Sequence, residues 1–238
     1  MWPPVPTYYI EDYFSTYLYT GNGSAQTITN AAGFKPDLVW QKPRNEVASH
    51  RLVDSVRGVN VVLYSNQTAA DTTETNTLTS FNSNGFTGGG SNAVTSGNTA
   101  VAWQWQAGQG TTSSNTSGSI TSTTSVNATA GFSIVTWTGN GSASTVGHGL
   151  GVTPKMIIIK NRSASPYSWP VYHASYWNIT NGLLFLDSTS VGNSNSGYFS
   201  SVPSSTVFNV ATAGAINGNT NNMVAYCFAE ISGYSKAF

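Results

Sequence analysis

The sequence predicts an all-β fold, organised as two tandem, related β-sandwich domains of the jelly-roll kind and preceded by an N-terminal arm. Three observations support this fold. The chain of 238 residues contains a long internal repeat. Its apolar segments are short, rich in β-branched and aromatic residues, and bounded by Gly, Asn, Ser or Pro. No segment keeps a helical spacing of apolar residues over three turns.

The internal repeat is clearest at residues 14–25 (FSTYLYTGNGSA) and 132–143 (FSIVTWTGNGSA), which share eight of twelve residues at an offset of 118. Near the end of each unit, residues 101–107 (VAWQWQA) resemble residues 224–230 (VAYCFAE). Further matches at the first offset are Pro36 with Pro154, Lys42 with Lys160, and Arg44 with Arg162. The period is much longer than that of a solenoid repeat, and it predicts a duplicated domain.

The remaining segments read as strands and turns. Asn-Gly at residues 22–23 and 140–141 favours a type I′ hairpin turn, because both central residues of that turn need positive φ. We therefore expect the shared TGNG segment to be a turn between two strands. The predicted strands are LVWQK, RLVDSV, NVVLYS, AVAWQW, FSIVTW, MIIIK, LLFLD, TVFNV and MVAYCFA.

These patterns divide the chain into four parts. Residues 1–12 form the arm and residues 13–107 the first sandwich. Residues 108–130 form a linker whose Thr-rich second half can add an edge strand, and residues 131–238 form the second sandwich. The arm is apolar without a core pattern, which predicts an assembly tail that docks on a neighbouring protein. The aromatic residues assigned to this docking are Trp2, Tyr8, Tyr9 and Tyr13.

Composition restricts the partners. Charged residues make up only 8% of the chain and the formal net charge is zero, so a nucleic-acid partner is not expected. No apolar run is long enough for membrane insertion. Cys227 is the only cysteine, which excludes an intramolecular disulfide, and its apolar surroundings predict a buried side chain.

The sequence does not predict an enzyme. A glycosidase needs two carboxyl groups across one cleft, whereas the second unit contains only Asp187 and Glu230. The sequence has no nucleophile elbow and no phosphate-binding loop, and its Gly-rich segments are followed by no predicted helix. We therefore expect no catalytic residues, no metal site and no cofactor.

One aromatic stretch is a candidate glycan-binding site. Lectin-like sites stack sugar faces on exposed aromatic rings beside polar groups, and residues 165–178 (SPYSWPVYHASYWN) combine both. Packing in the core or in an interface is the competing explanation, because aromatic side chains bury the most area. His50 and His173 lie at roughly equivalent places in the two units, as a duplicated ligand site or as solvent-facing strand positions. The glycan-binding candidates are Trp169, Tyr172, His173 and Trp177.

The repeat motifs also carry a family resemblance. Most of the chain resembles a family of tailed-phage virion proteins from marine and metagenomic phages, described as structural or tail proteins with duplicated concanavalin-like, lectin-like domains. The segments that carry this resemblance are DYFSTYLYTGNGS, GFKPDLVWQKPR, HRLVDSVRG, AGFSIVTWTGNGS, VGHGLGVTPKMIIIKNR and VAYCFAEISGYSKAF.

The resemblance implies a noncatalytic structural component of a bacteriophage virion, assembled in the host cytoplasm. Such a component is tail-associated or surface-exposed and can bind host surface glycans. The alternatives are a capsid or tail decoration protein that stabilises the particle and, with least support, a polysaccharide depolymerase. The expected partners are other virion proteins reached through the N-terminal arm, further copies of the chain in a homo-oligomer, and a host glycan.

Overall fold

A computed structural model describes residues 9–89, 96–177, 182–190 and 197–236. The described chain consists of eighteen strands and two very short helices, a 3-10 turn at Ile10–Asp12 and an α-helical turn at Gly214–Asn217. The prediction of an all-β sandwich fold is confirmed. Neither helix in this part of the chain has the length and apolar character needed to cross a membrane.

The first half of the chain builds two antiparallel sheets. Large sheet 1 has the strand order β1-β9-β3-β4-β5-β6, and small sheet 1 has the order β2-β8-β7. The strands are β1 (Phe14–Thr20), β2 (Gln26–Thr29), β3 (Leu38–Pro43), β4 (Arg51–Asp54), β5 (Val61–Tyr64), β6 (Thr72–Thr73), β7 (Leu78–Asn82), β8 (Gly85–Gly88) and β9 (Thr99–Trp105).

The second half of the chain builds a matching pair of sheets. Large sheet 2 has the order β10-β11-β12-β18-β14-β15-β16, and small sheet 2 pairs β13 with β17. The strands are β10 (Ser113–Asn115), β11 (Ser122–Asn127), β12 (Phe132–Thr138), β13 (Ser144–Gly147), β14 (Pro154–Asn161), β15 (Pro170–His173), β16 (Leu184–Phe185), β17 (Val207–Val210) and β18 (Asn222–Ala229).

The two large sheets share a strand order and a register. The order β1-β9-β3-β4-β5 of the first sheet recurs as β12-β18-β14-β15-β16 in the second. Phe14 pairs with Trp105 in the first sheet, and Phe132 pairs with Phe228 in the second. Within these five shared strands, register assigns paired residues of one large sheet an equivalent in the other. The division into two tandem domains stays a prediction.

Strand alternation gives the molecule three apolar layers. Because successive side chains of a strand point to opposite faces, Val39 packs toward small sheet 1 whereas Leu38 packs toward large sheet 2. Leu38 shares the middle layer with Ile158, and Ile157 packs toward small sheet 2. The central strands of each large sheet are therefore buried on both faces, which explains why they read as nearly continuous apolar runs.

The TGNG segments do not form the expected hairpin turns. The strands on either side of each segment lie in different sheets and do not pair, so TGNG carries the chain from a large sheet to a small one. Only the second glycine of each segment has positive φ, 79° at Gly23 and 69° at Gly141. The side chains of Asn22 and Asn140 each accept a hydrogen bond from the amide two residues later. These bonds form Asx turns, which explains the repeated Asn-Gly without a hairpin.

The segment expected to be a linker is held in place by Asp37. The Asp37 carboxylate is fully buried and accepts hydrogen bonds from the backbone amides of Ala107, Gln109 and Gly110 at 2.6–2.7 Å. The chain then forms β10 and β11 at the edge of large sheet 2. The first part of the predicted linker, residues 108–130, is therefore not a free connection, because hydrogen bonds to Asp37 and the pairing of β10 with β11 hold it on the sheets.

Candidate functional site

Trp169 is a residue of the core. It is 0% exposed and lies in the apolar layer between the large sheets. Its indole Nε1 donates hydrogen bonds to the backbone oxygens of Tyr64 at 3.0 Å and Gln67 at 3.1 Å. No ring face is open to a sugar, so Trp169 does not fit the predicted glycan site. Its burial holds a loop of the first half against the second.

Tyr172 and His173 cannot share one binding surface. They are neighbours in β15, and strand alternation directs their side chains to opposite faces. Tyr172 is 3% exposed and packs with Trp177 and Phe199, at ring-centre distances of 5.9 and 5.8 Å. Burial of Tyr172 also contradicts its predicted role. His173 and Trp177 remain half-buried, so the four predicted residues do not form one exposed platform.

His50 and His173 do not occupy equivalent positions in the two halves. His173 pairs with Met156 in large sheet 2, and the residue in the matching position of large sheet 1 is Asp54, which pairs with Leu38. His50 lies outside the strands, where its Nδ1 accepts a hydrogen bond from Trp40 Nε1 at 3.3 Å. A duplicated histidine site is therefore absent from the described residues.

An apolar pocket of about 480 Å³ lies at one end of the layer between the large sheets. Its floor is built from aromatic residues at repeat-equivalent positions. Phe14 lies 4.9 Å from Trp105, and Phe132 lies 5.0 Å from Phe228, measured between ring centres. Trp105 also lies 6.3 Å from both Phe132 and Phe228, so the two pairs form one cluster. The duplication thus creates the pocket floor where the halves meet.

The pocket rim comes from both terminal segments. Tyr13 and Tyr234 meet edge to face at 5.8 Å, and Ile10, 53% exposed, lies at the opening. Burial raises the pKa of the Tyr234 phenol to about 12, with smaller contributions from Tyr13 and Asp12. The Tyr234 hydroxyl is therefore neutral at physiological pH.

Two of the four predicted arm residues can be placed. Tyr13 lines the pocket, whereas Tyr9 is 56% exposed just before the 3-10 turn. Trp2 and Tyr8 lie outside the described residues. The arm therefore joins the described chain beside the pocket, a proximity that the sequence did not reveal.

The pocket is suited to apolar ligands rather than to acid–base chemistry. Of the described residues that line it, none is a carboxylate, and the ionisable side chains are His173, Lys236 and two tyrosines. Within the described ranges no three His, Cys, Asp or Glu side chains lie close enough together to hold a metal ion. The aromatic floor can accommodate an inserted apolar side chain, which gains about 1.5–3 kcal/mol when fully buried.

Comparison with known proteins gives a match to a family model. The family model DUF7483, described as a domain of unknown function, matches residues 10–238. The chain belongs to the DUF7483 family. No curated protein and no solved structure matches it. The DUF7483 region begins at Ile10 and so contains the described pocket lining, while Trp2, Tyr8 and Tyr9 precede it.

Trp105 lies in the predicted strand AVAWQW, so its sequence context indicated a core residue and did not reveal the pocket. The signal that could have found it was the repeat itself. Phe14 matches Phe132, and Trp105 matches Phe228, so four aromatic residues occur in two equivalent pairs. Only the packing of the two halves shows that these four residues lie in one cluster.

Proposed function

We propose that this DUF7483 protein is a noncatalytic structural component of a bacteriophage virion, held in the particle by its N-terminal arm and the apolar pocket beside it. The observation that supports this role is the pocket between the large sheets, with its aromatic floor and its rim of terminal segments. The family resemblance of the repeat motifs supports the virion location. The protein assembles in the host cytoplasm, with itself and with other virion proteins.

The physical argument rests on the apolar surface at the pocket. Ile10 is 53% exposed at the opening and Tyr9 is 56% exposed beside it, so apolar surface continues from the pocket into the arm. Contiguous exposed apolar surface of this kind marks interaction sites in soluble proteins. A neighbouring virion protein that covers it removes the surface from water and gains about 25 cal/mol for each Å² buried.

Two forms of this role remain candidates. A decoration protein would cover the particle in many copies, whereas a tail-associated protein would be present in few copies and could bind host glycans. For glycan binding by the aromatic stretch, the half-buried His173 and Trp177 and the 42% exposed Tyr176 are the side chains with accessible surface. A depolymerase is least supported, because the described pocket lining lacks the two carboxylates that glycosidases use.

The test is incorporation into particles. Deleting residues 1–9 and, separately, changing Ile10→Asp should each reduce the copy number per particle at least roughly tenfold, which corresponds to about 1.4 kcal/mol of binding free energy. The copy number is measured by quantitative mass spectrometry of purified particles. Val202→Asp is the matched control, because Val202 is 57% exposed in a loop of the second half.

The control should incorporate normally, and all variants should keep the thermal unfolding midpoint of the parent. Normal incorporation of both arm variants would contradict the proposed anchor. The copy number of the parent protein distinguishes decoration from a tail location.

A further inference from the structure

A second cavity in the first half is polar. It is a cleft of about 490 Å³ beside β4 and β5, separate from the apolar pocket. Three residues form a row across neighbouring strands beside this cleft, because Gln41 pairs with Arg51 and Arg51 pairs with Tyr64. Strand alternation places all three on the face that packs toward small sheet 1. Arg51 and Tyr64 line the cleft, whereas Gln41 is next to Arg51 in the sheet and does not line it.

The polar atoms of this row are poorly satisfied by the protein. Arg51 is 5% exposed, and its Nε and Nη1 donate no hydrogen bond. Gln41 is 1% exposed, and neither atom of its amide has a hydrogen-bond partner. The Arg51 guanidinium lies 5.6 Å from the centre of the Tyr64 ring, and its Nε forms an ion pair with Glu74 at 3.6 Å that is too long for a hydrogen bond. Such groups cost roughly 1–3 kcal/mol each when buried without partners.

The second half shows that the fold does not need these polar residues. Register makes Ile159 the equivalent of Gln41, Pro170 that of Arg51, and Phe185 that of Tyr64. All three equivalents are nonpolar, and Ile159 is fully buried. The same strand order therefore forms with an apolar row. The unsatisfied row of the first half is costly for stability, which points to a role in binding.

The cleft rim adds amides and a hydroxyl to the guanidinium. Gln67 donates a hydrogen bond from Nε2 to Ser49 Oγ at 2.7 Å, and Asn98 donates from Nδ2 to Glu46 Oε1 at 2.8 Å. Both hydrogen-bonded pairs are exposed, so a ligand that enters the cleft can reach them. The residues that line the cleft with Arg51 and Tyr64 are Glu46, Val47, Ala48, Ser49, Gln67 and Asn98.

We propose that this cleft binds a carboxylate-bearing sugar of the uronate type. A guanidinium presents N–H donors in a planar fork that matches a carboxylate, and the rim amides and hydroxyl match sugar hydroxyls. Glu46 and Glu74 balance the charges of Arg51 and nearby Lys42, so long-range attraction of the anion is small. Recognition then depends on direct hydrogen bonds, and we expect a dissociation constant on the order of millimolar.

Trp169 is a positioning residue for this cleft. Its indole donates to the backbone oxygens of Tyr64 and Gln67, which carry two of the cleft side chains. Lys160 adds a hydrogen bond to the backbone oxygen of Thr68 at 3.0 Å. Hydrogen bonds from Trp169 and Lys160 of the second half therefore hold the loop that contains Gln67 in place. The aromatic residue expected to stack on a sugar instead supports the site from the core.

The test uses the purified full-length protein and three probes at equal ionic strength: glucuronate, glucose and acetate. Amide resonances of residues 46–51 and 64–67 should shift saturably with glucuronate in two-dimensional NMR spectra. Glucose lacks the carboxylate and acetate lacks the hydroxyls, so each should bind at least roughly tenfold more weakly. This experiment needs no particle, so its outcome is independent of the assembly role.

Two variants and a matched control complete the test. Arg51→Lys keeps the charge but loses the planar fork, and Gln67→Ala removes a rim amide, so each should weaken glucuronate binding at least roughly fivefold. Asn219→Ala removes an exposed amide of the second half and should leave binding unchanged. If Arg51→Lys does not fold, Gln67→Ala decides. No saturable shift at about 50 mM glucuronate, or equal binding of acetate, would overturn the proposal.

Discussion

The two halves of the chain build large sheets with the same strand order but bury different chemistry at equivalent positions. In the first half, Gln41 and Gln104 are buried between the large and small sheets, whereas Ile159 and Cys227 occupy the matching places in the second. Duplication supplies one arrangement of strands, and substitution then changes its interior. Positions where the halves disagree are therefore the best guide to function, because the fold itself accepts either residue.

The largest difference in the free energy of unfolding between the halves should come from the residue after the shared proline, which is Asp37 in the first half and Lys155 in the second. The buried Asp37 carboxylate accepts four hydrogen bonds, three from backbone amides and one from Ser55 Oγ, whereas its sequence equivalent Lys155 is half-buried. Asp37→Ala would leave those donors without partners and should lower the free energy of unfolding by about 3–5 kcal/mol. Lys155→Ala should lower it by less than about 0.5 kcal/mol. Urea denaturation measures both, and similar losses would contradict the asymmetry.

Substitutions at Gln41 and at its equivalent Ile159 test whether a buried polar side chain at this position lowers the free energy of unfolding. Ile159→Gln buries an amide in an apolar layer and should lower the free energy of unfolding by about 3 kcal/mol. Gln41→Ile removes two unsatisfied amide atoms and should raise it by about 1 kcal/mol. The same urea experiment applies to both variants. A clear destabilisation by Gln41→Ile would show that the amide stabilises the first half and would weaken the case for a binding role.

A smaller effect on the free energy of unfolding concerns Lys42 and Lys160, which occupy equivalent positions in the repeat. Lys160 is fully buried, and burial lowers its pKa to about 8, partly offset by the charge of Asp187. Its equivalent Lys42 is half-buried and donates to backbone oxygens near the protein surface. Between pH 8 and the unfolded pKa of 10.5, the unfolded chain binds a proton at Lys160 that the folded chain lacks. Stability from this group therefore rises with pH across that window.

The measurement is the free energy of unfolding of the parent and of Lys160→Met at pH 7 and pH 10. The difference between the two proteins should change by about 2 kcal/mol in favour of the parent as pH rises. The comparison cancels the opposing titrations of Tyr226 and Cys227, whose pKa values burial raises. A constant difference for Lys160→Met would contradict the lowered pKa.

Much of the fold could be predicted because it follows from local patterns. Short β-rich runs bounded by turn residues predicted most strands, and shared segments such as TGNGSA predicted related halves. The function of TGNG as a link between sheets could not be predicted, because pairing depends on residues far away in sequence. The residues of the candidate binding site could be predicted less well than the strands. Tyr172 and His173 were grouped by proximity in sequence, whereas alternation along β15 separates them.

The sequence contains a signal for the polar cleft. Aligning the halves places Gln41 against Ile159 within otherwise apolar strands, and a polar residue in such a run is informative. Arg51 gave a weaker signal, because its match to Pro170 depends on an insertion that only strand pairing locates. The absence of hydrogen-bond partners for Arg51 Nε and Nη1 follows only from the packed structure.

The sequence by itself determined the class of fold, the duplication and the low charge, because these depend on composition and on short-range periodicity. Only the tertiary structure decided that the large sheets pack face to face, that Phe14, Trp105, Phe132 and Phe228 form one pocket floor, and that Trp169 is interior. The physical reason is that an aromatic side chain is equally compatible with a core and with a binding surface. Which one it joins depends on the residues that distant strands place against it.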